Sequence, residues 1–151
     1  MKNMYITDQE DMIFWFSIIE NNGAKTVLDI GLFLERIGAI ARQVGGMALP
    51  SQTRLDGYNL SSQQPLPIYE TVYDQIINKQ EDLNIRYDLG LLLGIPEEWN
   101  MDEIKQIIRS RTLSLLAVDI PVFEMLKKAS VDLSNSCEVR TDNREYRLIS
   151  F

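Results

Sequence analysis

The sequence predicts an α/β fold in which a mostly parallel sheet carries helices on both faces and ends in an antiparallel hairpin. Three observations support this prediction. A short apolar run over residues 26–30 leads through Gly31 into a helix-patterned segment. A second run, residues 87–94, is almost continuously apolar between turn residues, as in a strand covered on both faces. Two alternating segments near the end of the sequence agree on one antiparallel register.

An N-terminal helix is expected to pack onto this sheet. Thr7 and Glu10 have the spacing of a capping box, in which each side chain bonds to a free backbone N–H of the first turn. Asn22-Gly23 follows the helix, and glycine tolerates the left-handed conformation that ends many helices. The apolar stripe between these signals, which we interpret as core packing and not as a ligand-stacking surface, consists of Met12, Trp15, Phe16 and Ile19.

The rest of the chain alternates strand and helix patterns without repeats, which favours a single domain over residues 1–151. The first strand is predicted from Lys25 to Ile30, and a helix from about Leu32 to Val44, closed by Gly45-Gly46. The later elements are a strand (Arg54 to Leu60), a loop (Ser61 to Pro67), a segment that fits a helix from Ile68 or a strand within Thr71 to Ile77, a buried strand (Tyr87 to Gly94), a helix (Glu97 to Arg109), a strand (Thr112 to Ile120) and a helix (Val122 to Ala129).

The terminal hairpin is predicted together with its register. Asp142-Asn143 is taken as a two-residue turn, because asparagine tolerates a positive φ. This turn gives one apolar face and one face of opposite charges. The predicted partners are Cys137 with Leu148, Val139 with Tyr146, Glu138 with Arg147 and Arg140 with Glu145.

The charge balance argues against a nucleic-acid partner. Acidic residues outnumber basic ones by 22 to 15, which gives a net charge of -7. Binding to nucleic acid takes most of its affinity from lysines and arginines that neutralise phosphates. The small basic groups have helix-like spacing and are interpreted as solvated helix faces: Lys105, Arg109, Arg111, Lys127 and Lys128.

Composition also limits the available chemistry. Histidine is absent, so the commonest general base and metal ligand is missing, and no metal site is predicted. Cys137 is the only cysteine, so no internal disulfide forms, and its place on the apolar hairpin face predicts a small core residue. No apolar run approaches the ~20 residues of a membrane span. The N-terminus lacks the pattern of a secretory signal, so a cytoplasmic protein without a membrane partner is expected.

The order of elements resembles the class I S-adenosylmethionine-dependent methyltransferases, whose Rossmann-like parallel sheet is finished by an antiparallel hairpin strand. Three segments carry the resemblance. Val27-Leu28-Asp29-Ile30-Gly31 looks like the family's first motif, and Leu55 to Leu60 looks like its second strand. Tyr87 to Glu98 looks like its fourth strand and the turn that follows. The resemblance implies S-adenosylmethionine as the cofactor if the site is functional, held by Asp29, Gly31, Asn59 and Gly94.

The chain departs from the family where the cofactor would be held. Phe33 and Glu35 stand where the first motif continues with glycines that allow a ligand to approach the backbone. Glu35 would place a negative charge where the family holds the carboxylate of the methionine moiety. Asn59 replaces the acid that accepts hydrogen bonds from both ribose hydroxyls. Lys79 stands near the place of an aspartate that contacts the adenine amine.

These departures favour a methyltransferase-like protein with a degenerate site, which binds no cofactor and acts through a protein partner, regulation or self-association. Leu32, Phe33 and Leu34 would then fill the crevice or form a contact surface. The alternative is an active methyltransferase on an unknown small molecule. Its only proton acceptors would be acids: Asp88, Asp119, Glu97 and Glu98. As a third hypothesis the crevice binds a different ligand, since open α/β sheets bind ligands at the carboxyl ends of their strands.

Overall fold

The computed structural model describes residues 15, 17–32, 53–60, 73–94, 100–140 and 145–151. The elements in this part of the chain are β1 (Thr26–Ile30), β2 (Arg54–Tyr58), β3 (Gln75–Ile77), a 3-10 helix (Gln80–Asp82), β4 (Tyr87–Leu92), α1 (Met101–Arg109), β5 (Leu113–Asp119), α2 (Ile120–Lys128), β6 (Ser136–Arg140) and β7 (Glu145–Ser150). Residues 17–21 are helical as well. The strands form one sheet in the order β3-β2-β1-β4-β5-β7-β6.

The sheet is mixed as predicted. Neighbouring strands from β3 to β5 are parallel, whereas β7 runs antiparallel to both β5 and β6. The hairpin has the predicted register, in which Cys137 pairs with Leu148 and Glu138 with Arg147. The turn proposed at Asp142-Asn143 lies outside the described residues.

Two hydrophobic clusters form the core, one on each face of the sheet, because successive side chains of a strand point to opposite sides. One cluster includes Val27 of β1 and the side chains of Trp15 and Ile19 from the N-terminal helical residues. The other joins Leu28 of β1 to the apolar faces of α1 and α2, including Ile104, Ile107, Val122 and Leu126. Helices therefore cover both faces, and Trp15 is a core residue as predicted; Met12 and Phe16 lie outside the described residues.

The helix starts differ from the predicted ones because of side-chain caps. Asn100 accepts hydrogen bonds from the backbone N–H groups of Asp102 and Glu103, so α1 begins at Met101 and not at Glu97. Asp119 caps α2 through the N–H of Val122, and Pro121 lies in the first turn, so α2 begins at Ile120. The predicted capping box at Thr7 and the helix over 33–44 fall outside the described residues.

Three further predictions need correction. The helix predicted to start at Leu32 cannot include that residue, which has a φ of 55°. The strand predicted through Gly94 ends at Leu92, because Gly94 adopts a φ of 75° that breaks the extended backbone. Cys137 is exposed and is not a core residue, because it lies on β6, the edge strand of the sheet. The ambiguous segment before residue 78 contains a strand, Gln75–Ile77.

Within the described ranges, no helix has the length and apolar character needed to cross a membrane. The same residues contain no group of three or more side chains placed to hold a metal ion.

Candidate functional site

The carboxyl edge of the parallel strands brings together three of the four predicted site positions. The register pairs Ile30 of β1 with Tyr58 on one side and with Leu92 on the other. The segments that follow these strands carry Gly31, Asn59 and Gly94, which therefore emerge from three adjacent strands at one edge. Open α/β sheets bind ligands at this edge.

Asp29, the fourth predicted position, lies within β1 and is fully buried. Its Oδ2 accepts a 2.6 Å hydrogen bond from the hydroxyl of Tyr73. Buried carboxylates require such partners, because an unpaired buried charge is strongly unfavourable. Asp29 thus connects the end of β1 to the segment that leads into β3. In this structural role its Oδ2 is already engaged by the Tyr73 hydroxyl.

The turn after β1 is fixed by its backbone and by close packing. Gly31 has a φ of 94°, and its N–H donates a 2.9 Å hydrogen bond to the carbonyl oxygen of Tyr58. Leu32 is buried against Gly57 of β2, where a β-carbon would lie 2.5 Å from Leu32 Cδ2 and 3.0 Å from the ring of Tyr73. Leu32 therefore fills space beside the sheet. The positions of Phe33, Leu34 and Glu35 lie outside the described residues.

Asn59 follows β2 and presents an unused acceptor. Its N–H donates to the carbonyl oxygen of Ile77, which continues the pairing of β2 with β3. Its side-chain Nδ2 donates a 3.1 Å hydrogen bond to Oδ1 of Asn78. Its Oδ1 is buried and has no hydrogen-bond partner among the residues that the structure describes. A buried polar atom without a partner costs about 1–3 kcal/mol, so this oxygen is a place where a ligand hydroxyl would be stabilised.

A second unused polar atom belongs to Gln80, two residues after the Asn78 that bonds to Asn59. Nε2 of Gln80 is also buried without a partner. Gln80 and Asn78 belong to the wall of a cavity of about 500 Å³, which we call the edge cavity. Its other described lining residues are Tyr58, Lys79, Glu81, Asn100, Asp102, Glu103 and Gln106. Asn78 and Gln80 were not singled out from the sequence, although the polar run Asn78-Lys79-Gln80 directly after a strand was a usable signal.

The edge cavity is acidic. Three of its described lining residues carry carboxylates, and Lys79 carries the single positive charge. Burial raises the pKa of Tyr58 to about 12, and the nearby charges of Glu103 and Glu81 add to the shift. The Tyr58 hydroxyl therefore stays protonated near neutral pH. A cavity of this charge suits a neutral or cationic ligand better than an anion.

The acids considered as proton acceptors have structural roles where they are described. Asp119 accepts hydrogen bonds from the N–H groups of Gly94, at 2.8 Å, and Val122, at 3.1 Å. Burial raises the pKa of Asp119, and these bonds oppose the rise. Asp88 accepts from the N–H groups of Lys25 and Thr26 at the amino edge of the sheet, away from the edge cavity. Glu97 and Glu98 lie outside the described residues.

The adenosine half of the implied cofactor fits these residues in part. Asn59 Oδ1 can accept one bond from a ribose hydroxyl, and Gln80 Nε2 can donate one to a nitrogen or oxygen of the ligand. Asparagine is neutral, however, and charge-assisted bonds are roughly twice as strong as neutral ones. Lys79, which stands near the place of the aspartate that contacts the adenine amine in the family, is exposed and precedes the 3-10 helix.

Among known proteins, similarity to this chain is found in solved structures. Neither a scan against protein-family models nor a search of curated proteins gives a match. A protein from Nostoc punctiforme PCC 73102, whose assignment as an O-methyltransferase is provisional, matches with a TM-score of 0.61 and 12% identity, over 96% of this chain and 57% of that chain. This chain thus spans a little over half of the Nostoc protein.

Two further matches were solved with a cofactor. The O-methyltransferase TomG from Streptomyces achromogenes, in complex with SAM, has a TM-score of 0.53 and 12% identity, over 97% of this chain and 81% of that one. Cofactor-bound Rv0187 from MTB has a TM-score of 0.57 and 14% identity, over 99% of this chain and 82% of that one. The present chain has the fold of the class I S-adenosylmethionine-dependent methyltransferases, as its sheet order and terminal antiparallel strand indicate.

Proposed function

We propose that this methyltransferase-like chain has a degenerate cofactor site, does not transfer methyl groups and acts through a protein partner or through regulation. The observation that carries the proposal is Asn59, which stands where the resemblance implies a ribose-binding acid. Its amide nitrogen is engaged by Asn78, so a single neutral oxygen remains for a ligand. One neutral acceptor in place of a carboxylate predicts weak binding of S-adenosylmethionine.

The roles of the acids support a non-catalytic chain. Asp29 is committed to the Tyr73 hydroxyl, and Asp119 caps α2 while holding the N–H of Gly94. Asp88 acts at the opposite edge of the sheet. A general base must reach the proton it removes with a free oxygen. Methyl transfers that depend on alignment alone would still need a tightly held cofactor.

The methionine half of the site supports the same proposal from the sequence. Glu35 and Phe33 replace the two glycines of the loop that would cradle the cofactor. A carboxylate at this place repels the carboxylate of the methionine moiety. A phenyl ring fills the space that a ligand needs in order to approach the backbone closely. The loop thus weakens binding of the methionine moiety, and Asn59 weakens binding of the ribose at the other end of the cofactor.

An active methyltransferase is the second candidate, and one observation favours it. Gln80 lines the edge cavity, and Asn59 bonds to another lining residue, Asn78. Asn59 Oδ1 and Gln80 Nε2 are both buried without a partner among the described residues, and a ligand that bonds to them would explain this. On this second proposal, Asn59 and Gln80 hold the nucleoside and the site remains usable.

Calorimetric titration with S-adenosylmethionine and S-adenosylhomocysteine separates the two candidates. The degenerate site predicts no heat from the folded wild-type chain at micromolar ligand. Asn59→Asp should raise the affinity by about tenfold, because a carboxylate accepts charge-assisted bonds from the ribose. Asn84→Asp is the matched control, since it adds the same charge at an exposed position that does not line the edge cavity.

The outcomes assign the function in either direction. Micromolar binding by the wild-type chain, lost in Asn59→Ala, would overturn the degenerate site and favour the enzyme. No binding by the wild type, with gain in Asn59→Asp combined with Phe33→Gly and Glu35→Gly, supports the degenerate site. Light scattering for self-association and capture of partners from a lysate then test how the chain acts.

A further inference from the structure

A second cavity lies at the amino edge of the parallel strands, opposite the edge cavity. Its volume is about 720 Å³, and its wall includes Arg86 just before β4 and Leu113 at the start of β5. We call it the basic cavity because four of its described lining residues are cations: Arg86, Lys105, Arg109 and Arg111. Asp132 is the one carboxylate among the described lining side chains. A local excess of positive charge is unexpected in a chain of net charge -7.

The cations of the basic cavity are not neutralised by described neighbours. The side chains of Lys105, Arg109 and Arg111 form no ion pair or hydrogen bond with the residues that the structure describes. Arg86 uses its Nε to bind Ser114 Oγ at 3.0 Å, a neutral partner. Asp132 is engaged by the N–H of Ser134 at 3.0 Å. Like charges around one concave surface repel each other, so an anion placed among them is stabilised.

Backbone strain converges on the same cavity. Three described residues other than glycine have a positive φ, and two of them, Arg111 at 60° and Ser130 at 62°, line the basic cavity. Each follows the C-cap of a helix, α1 or α2, a position where glycine is usual. A side chain there is strained relative to glycine. Strained residues of this kind cluster at functional sites, where the side chain is needed despite its cost.

An exposed aromatic residue is among those that line the basic cavity. Among the residues that the structure describes, Phe151 is the one large hydrophobic residue that is exposed, at 44%. Its N–H donates a 3.1 Å hydrogen bond to the carbonyl oxygen of Ser114, the residue whose hydroxyl binds Arg86. Phe151 and Arg86 are thus both bonded to Ser114, and both line the basic cavity. An aromatic face beside cations suits a ligand with both a planar ring and an anionic group.

We propose that the basic cavity binds a phosphate ester that carries a planar ring, with the phosphate among the arginines and the ring against Phe151. Guanidinium groups match phosphate oxygens in bidentate geometry. The volume lies within the range of roughly 300–1,000 Å³ that is usual for small-molecule sites. This binding site is independent of the proposed function, because the two cavities lie at opposite edges of the sheet and the edge cavity is acidic.

Calorimetric titration of the full chain with GDP, pyrophosphate and guanosine tests the proposal. We expect GDP to bind, pyrophosphate to bind more weakly because it lacks the ring, and guanosine to give no heat. Binding of GDP should weaken as salt is added. Arg109→Gln should reduce the GDP affinity by about tenfold, since it removes charged hydrogen bonds to phosphate. Lys25→Gln, which also removes one positive charge but at an exposed residue that does not line the basic cavity, should leave GDP binding nearly unchanged.

Two glycine substitutions separate strain from binding. Arg111→Gly should raise the thermal midpoint by roughly 1–3 °C, because glycine adopts the left-handed φ without strain, while it weakens GDP binding about tenfold. Ser130→Gly is the matched control: it relieves a similar strain without removing charge. We expect it to raise the midpoint and to change GDP affinity much less.

Three results would overturn the proposal. The first is the absence of binding by both GDP and pyrophosphate at millimolar concentration to the folded chain. The second is GDP binding that Arg109→Gln and Arg111→Gly leave unaltered, which would place the ligand elsewhere. The third is arginine-dependent binding of a hexaglutamate peptide when neither phosphate compound binds, which would assign the cavity to an acidic protein segment instead.

Discussion

The hydroxyl of Tyr73 donates a 2.6 Å hydrogen bond to Oδ2 of Asp29, and both side chains are buried. Asp29 is the acid that the sequence resemblance placed at the cofactor site, and Tyr73 lies two residues before β3. The bond therefore connects the end of β1 to the outermost parallel strand. It makes the acid part of the framework that supports the carboxyl edge.

Replacement of Tyr73 by phenylalanine should weaken the fold. The change removes one donor from a buried carboxylate, which costs about 1–3 kcal/mol of the free energy of unfolding. Urea denaturation of the purified variant measures it. Tyr58→Phe is the matched control, because the Tyr58 hydroxyl bonds to no described residue, and its loss should matter less. Equal destabilisation by the two changes would show that the Asp29 bond contributes nothing specific.

Gly57 offers a test of how the turn after β1 is packed. A β-carbon at this position would meet Leu32 Cδ2 at 2.5 Å and the Tyr73 ring at 3.0 Å. Gly57→Ala should therefore cost about 1–3 kcal/mol through overpacking. Gly90→Ala is the control, since the three atoms nearest its β-carbon are leucine methyl groups at 3.0–3.1 Å, whereas Gly57→Ala brings a closer contact at 2.5 Å and a rigid aromatic ring. Urea unfolding should show the larger loss for Gly57→Ala, and a neutral effect would contradict the packing of Leu32.

The fold was predictable because its signals are local and redundant. The apolar run over β4 and the alternation over β6 and β7 each specify an element, and the charge pairs fix the hairpin register. Boundaries were less accurate where one side chain decides them. Asn100 caps α1, which therefore begins at Met101. The acidic residues Glu97 and Glu98, which are also typical of a first helical turn, led to an earlier predicted start.

The candidate site was predictable only as a set of positions. The resemblance predicted Gly31, Asn59 and Gly94 as site residues. They lie at one edge because parallel strands place their carboxyl ends together. The bond between Asp29 and Tyr73 could not be read from the sequence, because it joins residues 44 positions apart. The basic cavity was missed for a similar reason. Lys105 and Arg109 looked like a solvated helix face, and only the tertiary fold adds Arg86 to them.

Arg147 should be the most important cation of the terminal hairpin. It is 19% exposed, forms a 2.7 Å ion pair with Glu145 and lies 5.2 Å from the ring centre of Phe123 on α2. Arg147→Ala should cost about 1–2 kcal/mol, because it removes packing and a cation–π contact as well as charge. Arg140→Ala should cost less, because Arg140 is 71% exposed. Thermal unfolding of both variants checks the order, and the reverse order would refute it.

The stability of the fold should respond to pH through Asp119. Burial raises its pKa, so the charged carboxylate destabilises the native state near neutral pH. This cost is relieved as the pH falls through the folded-state pKa, because the native state binds the proton more tightly than the unfolded state. Asp119→Asn removes the titration and can keep the cap of α2 through its amide oxygen, but the bond from the Gly94 N–H is lost because the amide nitrogen is a donor. That loss is the same at every pH, so it does not alter the comparison across pH. The wild type should therefore gain stability relative to Asp119→Asn as the pH falls through the folded-state pKa, until the carboxyl group is protonated in the unfolded chain as well, at about pH 4.

Asp132 provides a control of opposite sign. Hydrogen bonds from the backbone and side chain of Ser134 lower its pKa, so the charged form is favoured in the native state. That stabilisation is present above the unfolded-state pKa and is lost as the pH falls through the lowered one. The wild type should therefore lose stability relative to Asp132→Asn at acidic pH. Urea midpoints measured across the pH range should diverge in opposite directions for the two variants, and parallel curves would rule out the assigned role of Asp119 burial.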